Sequence, residues 1–134
     1  MKNESIINAL RHDSRVLFAY LFGSAARGSM GPLSDLDIGV YLDEHVDMFH
    51  YRLKIIESIT RAVGSERIDV VVLNQSPILL KFAVVRDGIV IKDRKRERVV
   101  FESAVLREYL DTSYLRSVQR EMQKSQIQGG TYFG

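Results

Sequence analysis

The 134-residue sequence contains no cysteine, so disulfide bonds and thiolate metal sites are excluded. A chain without cysteine suits the reducing cytoplasm. The sequence also has no apolar run long enough to span a membrane. Its polar-punctuated start, MKNESIINALRHD, differs from a signal peptide. We therefore expect a soluble, cytoplasmic protein that makes no contact with a membrane.

The sequence also lacks a large excess of charge of either sign. It has 19 Lys and Arg against 17 Asp and Glu, a net charge of +2. In segment 92–124, nine basic residues alternate with six acidic ones, as on a solvated helix face. Proteins that bind nucleic acid usually carry a concentrated basic patch instead. Nucleic acid is therefore not expected as a direct substrate.

No internal repeat or domain boundary is visible, and a chain of this length can bury about two-thirds of its unfolded surface. We therefore predict one domain over residues 1–134. Its core covers about residues 14–92, a helical extension about 94–127, and a flexible tail 128–134.

Hydrophobic periodicity predicts alternating helices and strands, an α/β (α+β) class of fold. The predicted strands are Val16 to Phe22, Asp35 to Leu42, Arg67 to Leu73 and a short strand Gly88 to Ile91. The predicted helices are Asn3 to His12, Val46 to Val63, Ile78 to Val85 and Arg94 to Ile127. Asn74, Ser76 and Pro77 are expected to cap the third helix, and the fourth is expected to break near Asp111 to Ser113.

The second and fourth helices carry most of the helical apolar pattern. In the second helix, which Gly64 ends, the predicted apolar stripe consists of Phe49, Leu53, Ile56, Ile59 and Val63. The fourth helix is long for so small a domain. Part of its apolar face is therefore expected to be uncovered in the monomer and available to a partner subunit.

The stretch Gly23 to Asp37, GSAARGSMGPLSDLD, combines small residues, an arginine and two aspartates. It follows a buried strand, and Ser24 can cap a short helical turn whose free N–H groups attract anions. Arg27 is a candidate phosphate contact, although a merely solvated arginine is the alternative. The stretch therefore has the composition of a phosphate-binding loop.

The two aspartates begin the strand that follows this loop. Asp35 and Asp37 project from the same face, since side chains alternate along a strand. Carboxylates this close repel each other, an arrangement that a bound cation explains, and oxygen ligands favour Mg²⁺ or Mn²⁺. Exposed carboxylates at a polar strand start are the alternative. Asp69 is a lone charge in a third, apolar strand, and Gly39 on the aspartate face leaves room for a base or ribose.

The sequence resembles the polymerase-beta-like nucleotidyltransferases at Gly23, Ser24, Asp35 and Asp37. Ten residues separate Ser24 from Asp35, as in the signature G-S-x(10)-D-x-D. The resemblance covers about residues 14–92. Four neighbouring residues also fit the minimal nucleotidyltransferases (MNT), which are often encoded beside a HEPN-type toxin as its antitoxin: Arg27, Gly28, Pro32 and Ser34.

The resemblance implies a mixed sheet with helices packed on one side, and the apolar pattern adds the long C-terminal helix. The resemblance also implies AMP transfer from ATP to a tyrosine hydroxyl of a HEPN-type toxin, and the uncovered face of the C-terminal helix predicts a hetero-oligomer formed through it. Two Mg²⁺ ions would assist, with Mn²⁺ as a substitute. The carried-over metal-binding and catalytic residues are Asp35, Asp37 and Asp69, and the nucleotide-binding residues are Gly23, Ser24, Arg27 and Ser34. Ser29, Met30 and Gly31 depart from family loops, which often carry a basic residue there.

Two other functions remain open from the sequence. One is a non-catalytic antitoxin that neutralises its partner by binding alone. The other is a nucleotidyltransferase that modifies small molecules of the antibiotic type. Such an enzyme would normally need a further domain to build its acceptor pocket, and the length of this chain argues against it.

Overall fold

A computed structural model of the chain describes residues 2–23, 36–64 and 67–128. The helices are α1 (Lys2–Arg11), α2 (Met48–Val63), α3 (Ile78–Asp87) and α4 (Lys95–Gln128). The strands are β1 (Val16–Phe22), β2 (Leu36–Leu42), β3 (Ile68–Val72) and β4 (Ile89–Lys92), and a 3₁₀ turn covers Leu73–Gln75. Each helix and strand predicted from the periodicity is therefore present, with shifts of a few residues at the ends.

The four strands form one sheet in the order β3-β2-β1-β4. β1 pairs with β2 and with β4 in antiparallel orientation, whereas β2 and β3 are parallel. Parallel neighbours need a crossover connection, and α2 is part of it. The predicted mixed sheet is therefore confirmed.

Helices cover both faces of this sheet, and each face has its own apolar core. On one face, Ile38 and Val40 of β2 pack with buried residues of α1 and α2. On the other face, Phe18 and Tyr20 of β1 pack with buried residues of α3 and α4, including Phe101. The prediction that the helices lie on one side was wrong, because alternate residues of β1 and β2 put apolar side chains on both faces.

The buried face of α2 also differs from the predicted stripe. Phe49 and Leu53 are 67% and 47% exposed, whereas Ile55 and Ile59 are buried. Ile55 and Ile59 lie four residues apart on one face of the helix. That face, which is adjacent to the predicted one, packs against α1 and the sheet. Its end agrees with the prediction, since Gly64 is the C-cap with φ of 75°.

The predicted cap of α3 was wrong in its side chains. Pro77 occupies the N-cap position without a side-chain hydrogen bond. Asn74 instead accepts a hydrogen bond from the backbone N–H of Leu42 and donates one to its carbonyl oxygen, both at 2.8 Å. The Ser76 hydroxyl donates to the carbonyl of Val72. These two polar side chains therefore tie the turn after β3 to the sheet.

α4 is one uninterrupted helix of 34 residues. The predicted break near Asp111 to Ser113 was wrong, since the hydroxyls of Thr112 and Ser113 donate to carbonyls of the preceding turn within the helix. From its second turn onward, α4 carries large apolar side chains that are exposed. We define the α4 stripe as Val100, Leu110, Tyr114, Leu115 and Met122. Across the described ranges, none of the helices has both the length and the apolar character that crossing a bilayer requires.

A buried tyrosine fastens α4 to the sheet. The Tyr20 hydroxyl donates to Oε2 of Glu102 at 2.5 Å, and Nη1 of Arg98 donates to Oε1 of the same carboxylate at 3.0 Å. Burial and the neighbouring Glu102 carboxylate raise the pKa of Tyr20 above its ordinary value. The phenol therefore remains a protonated donor at neutral pH.

We expect Tyr20→Phe to lower the free energy of unfolding by about 1–2 kcal/mol, because the partly buried carboxylate of Glu102 loses a hydrogen-bond donor. Chemical denaturation measures the change. Tyr114→Phe removes the same hydroxyl from an exposed position of α4 and should leave stability unchanged. Equal effects of the two substitutions would contradict a fastening role for Tyr20.

Candidate functional site

The candidate site lies where three neighbouring strands meet at one end of the sheet. Gly23 directly follows β1, whose last residue, Phe22, pairs with Asp37 of β2. Asp37 in turn pairs with Asp69 of the parallel strand β3. Adjacent strands lie about 4.8 Å apart. The sheet therefore brings together three residues that are far apart in the sequence.

Both aspartates lie on the sheet face opposite the core formed with α1 and α2. Their strand neighbours Ile38 and Val70 are buried in that core, so alternation places Asp37 and Asp69 on the other face. The side chain of Asp69 is 55% exposed. The backbone N–H of Leu36 donates to the carbonyl of Arg67 at 2.8 Å, which ties the two strand starts together. The carboxylates are thus held on a rigid sheet with access to solvent.

Gly23 lies directly against the Asp37 carboxylate. A Cβ atom added to Gly23 would collide with Oδ2 of Asp37 and lie 3.3 Å from its Cγ. The φ angle of Gly23 is 73°, in the left-handed region that L side chains disfavour. Glycine is therefore required here both for the turn and for the approach of the backbone to the carboxylate.

Arg52 of α2 reaches the rim of the site, and the sequence interpretation did not identify it. Its Nε donates to the carbonyl of Val70 at 2.6 Å, and its Nη2 lies 3.4 Å from Oδ1 of Asp69. The bond to the strand backbone fixes the guanidinium beside the carboxylate. Arg52 precedes Ile55 by three residues and Ile59 by seven, so it lies on the same side of α2 as these buried residues. This spacing was the signal in the sequence that could have identified it.

Gly39 does not provide the open space that we expected for a base or ribose. A Cβ atom at this position would lie 3.3 Å from both terminal methyl carbons of Leu73. Leu73 is fully buried in the second core. The small residue therefore accommodates an apolar side chain rather than a ligand.

Four of the predicted site residues lie outside the described residues: Ser24, Arg27, Ser34 and Asp35. Within the described ranges, no group of three or more His, Cys, Asp or Glu side chains could hold a metal ion. The described part of the site thus consists of Gly23, Asp37 and Asp69, with Arg52 at its rim. The predicted roles of all these residues stay predictions.

Chains of several solved structures share this fold. A chain of a toxin–antitoxin complex with AMP-PNP has a TM-score of 0.77 and 22% identity, covering 92% of this chain and 99% of its own. A chain of the MntA–HepT toxin–antitoxin complex has a TM-score of 0.69 and 21% identity, with coverage of 91% and 97%. A third chain is from the complex of the tri-AMPylated Shewanella oneidensis HEPN toxin with MNT antitoxin. Its TM-score is 0.70 and its identity 21%, with coverage of 91% and 96%.

The sequence has no significant match among curated proteins. A family model, however, matches residues 4–97, which is more than half of the chain and includes all four strands. That model is described as polymerase beta, nucleotidyltransferase. The match includes Gly23, Asp37 and Asp69, which the sheet places side by side. The chain belongs to the polymerase beta nucleotidyltransferase family.

Proposed function

We propose that this chain is a Mg²⁺-dependent protein adenylyltransferase that acts as a cytoplasmic antitoxin. It transfers AMP from ATP to a tyrosine hydroxyl of a HEPN-type toxin encoded nearby. The observation that carries the proposal is the pairing of Asp37 with Asp69 beside Gly23, in a chain of a nucleotidyltransferase family. Similar folds in complexes with AMP-PNP and with an AMPylated HEPN toxin support the choice of nucleotide and acceptor.

The described carboxylates fit a divalent cation of the Mg²⁺ type. Asp37 and Asp69 are register partners on one face and offer only oxygen ligands, which Mg²⁺ and Mn²⁺ prefer. Asp35, which lies outside the described residues, is the third ligand that we propose. When bound, two such ions activate the attacking hydroxyl and neutralise the leaving pyrophosphate.

The remaining roles concern the nucleotide and the proton. In the transfer, the tyrosine oxygen bonds to the α-phosphorus of ATP, the bond from that phosphorus to the pyrophosphate oxygen breaks, and the hydroxyl loses its proton. In our proposal, Asp69 either ligates the metal ion on the hydroxyl side or accepts that proton. Arg52 lies 3.4 Å from its carboxylate. Gly23 lets the backbone approach the site, and Ser24, Arg27 and Ser34 hold the triphosphate in our proposal.

The α4 stripe favours a protein as the acceptor. Leu110, Tyr114 and Leu115 are each at least 60% exposed, which is costly unless another surface covers them. A small-molecule acceptor gives no reason for such a surface. The same stripe also supports the second candidate, an antitoxin that neutralises its partner by binding without catalysis.

The test uses ATP labelled at the α-phosphate, Mg²⁺ and the purified HEPN-type protein encoded beside this gene. We expect label on a tyrosine of that protein, no label from γ-labelled ATP, and loss of transfer when EDTA removes the metal. Mass spectrometry identifies the modified residue. Absence of α-label on the protein at saturating ATP and Mg²⁺ would overturn the proposal.

A further inference from the structure

A cavity of about 630 Å³ lies beside α4 on the sheet face where Phe18 and Tyr41 pack against Phe101. It is lined by the last residues of β2, by the turn after β3 and by the first turns of α4. Its walls include Asp43 at the end of β2. Asp43 is six residues from Asp37, about 20 Å at the rise of an extended strand. The cavity is therefore separate from the site of the paired aspartates.

One wall of this cavity contains a carboxylate oxygen without a hydrogen-bond donor. Oε2 of Glu97 is buried and has no hydrogen-bond partner among the described residues. The neighbouring Arg98 is already engaged by Asp93 and Glu102, and Lys81 on the opposite wall lies 3.9 Å from Glu108. Burying an unpaired acceptor is unfavourable. Glu97 therefore lacks the donor that its position requires.

The other walls suit a cation carried on an apolar stem. Tyr41 and Phe101 line the cavity with their ring centroids 5.2 Å apart. Aromatic faces attract cations, and a planar guanidinium both stacks on a ring and donates two hydrogen bonds to a carboxylate. The lining has four carboxylates, Asp43, Glu44, Glu97 and Glu108, against the cations Lys81, Arg94 and Arg96. Glu44, His45, Arg94 and Arg96 are exposed and mark the rim.

The cavity is continuous with the α4 stripe. Val100, which is 66% exposed, belongs to both the stripe and the cavity wall, and Ala104 lines the cavity one turn later. A protein that covers the stripe therefore lies over the cavity opening.

We infer that this cavity is a socket for an arginine side chain of the protein partner. The guanidinium of that arginine binds Glu97 and stacks on the aromatic rings of Tyr41 and Phe101. The inference rests on the proposed function for the existence of a protein partner. It adds the chemistry that the partner must present. The socket increases the affinity for the partner protein and fixes the position in which the partner binds. The paired aspartates at the other end of β2 then face the reacting tyrosine.

The test titrates the full chain with N-acetylarginine N-methylamide and follows the amide signals of Val100, Phe101 and Ala104 by NMR. N-acetylcitrulline N-methylamide, which has the same shape but no charge, is the control ligand. We expect the arginine compound to shift these signals and the citrulline compound to leave them in place. Glu97→Gln should weaken binding about tenfold or more, whereas Glu121→Gln, on an exposed part of the same helix, should not. Equal binding of both compounds, or full binding by Glu97→Gln, would overturn the inference.

A second measurement separates the socket from catalysis. With the HEPN-type protein, Glu97→Gln should raise the KM for that protein while the thermal shift produced by ATP and Mg²⁺ stays unchanged. Asp37→Asn should keep the binding of the arginine compound. If agmatine, a free guanidinium compound, binds far more tightly than the arginine compound and blocks no protein binding, the occupant is a small molecule and the inference is wrong.

Discussion

Asp37→Asn is expected to reduce the rate of AMP transfer roughly a thousandfold, because a neutral amide would replace the carboxylate that holds Mg²⁺ in the proposed mechanism. Asp37 is paired in register with Asp69 and lies against Gly23, so it is at the centre of the described site. The substitution keeps the shape of the side chain. Folding should therefore be retained.

The rate is measured as α-label transferred per minute at saturating ATP, and folding by thermal unfolding of the same sample. Asp87→Asn at the exposed end of α3 makes the same chemical change away from the site and should keep full activity. Transfer that persists in Asp37→Asn would remove Asp37 from the mechanism. Loss of transfer with intact neutralisation of the toxin would favour the non-catalytic antitoxin.

Gly23→Ala should abolish most activity and also destabilise the fold. The residue has φ of 73°, which costs an L side chain about 1 kcal/mol. In addition the new methyl group collides with Oδ2 of Asp37, so the carboxylate must move. We expect a loss of activity of at least about a hundredfold, since small displacements of reacting groups have effects of that size.

Gly64→Ala is the matched control for this substitution. Gly64 has nearly the same φ, 75°, but a Cβ atom there meets nothing within 4 Å. Both variants should therefore lose about 1 kcal/mol of stability through the backbone, Gly23→Ala should lose more through its collision with Asp37, and only Gly23→Ala should lose AMP transfer. Full activity of Gly23→Ala would mean that the contact with Asp37 has no part in the site.

The sequence pattern was sufficient for the helices and strands and for the strand face on which Asp69 lies. That face follows because side chains alternate along a strand, as the burial of β3 shows. That Asp37 and Asp69 lie side by side could be predicted only from the order of the strands in the sheet. The sequence does not determine that order, since it depends on how the helices pack on the two faces of the sheet.

Other features could not be predicted because they depend on packing between distant segments. The choice of Ile55 and Ile59 over Phe49 and Leu53 as the buried face of α2 is made by the surfaces of α1 and the sheet. The filling of the space above Gly39 by Leu73 depends on how the chain turns after β3. Likewise the contact of Arg52 with Asp69 joins a helix to a strand 17 residues later.

The pairing of β2 with β3 has a consequence for the order of folding. β1 and β2 are neighbours in the chain and pair in antiparallel orientation, whereas the parallel partner β3 can dock only after α2 has crossed over the sheet. Contacts between distant segments form late and slowly. Asp37 meets Asp69 through this crossover, so a partly folded chain has one carboxylate without the other. In the proposed mechanism both carboxylates are needed, so the chain acquires transfer activity only when the parallel pairing of β2 with β3 is complete.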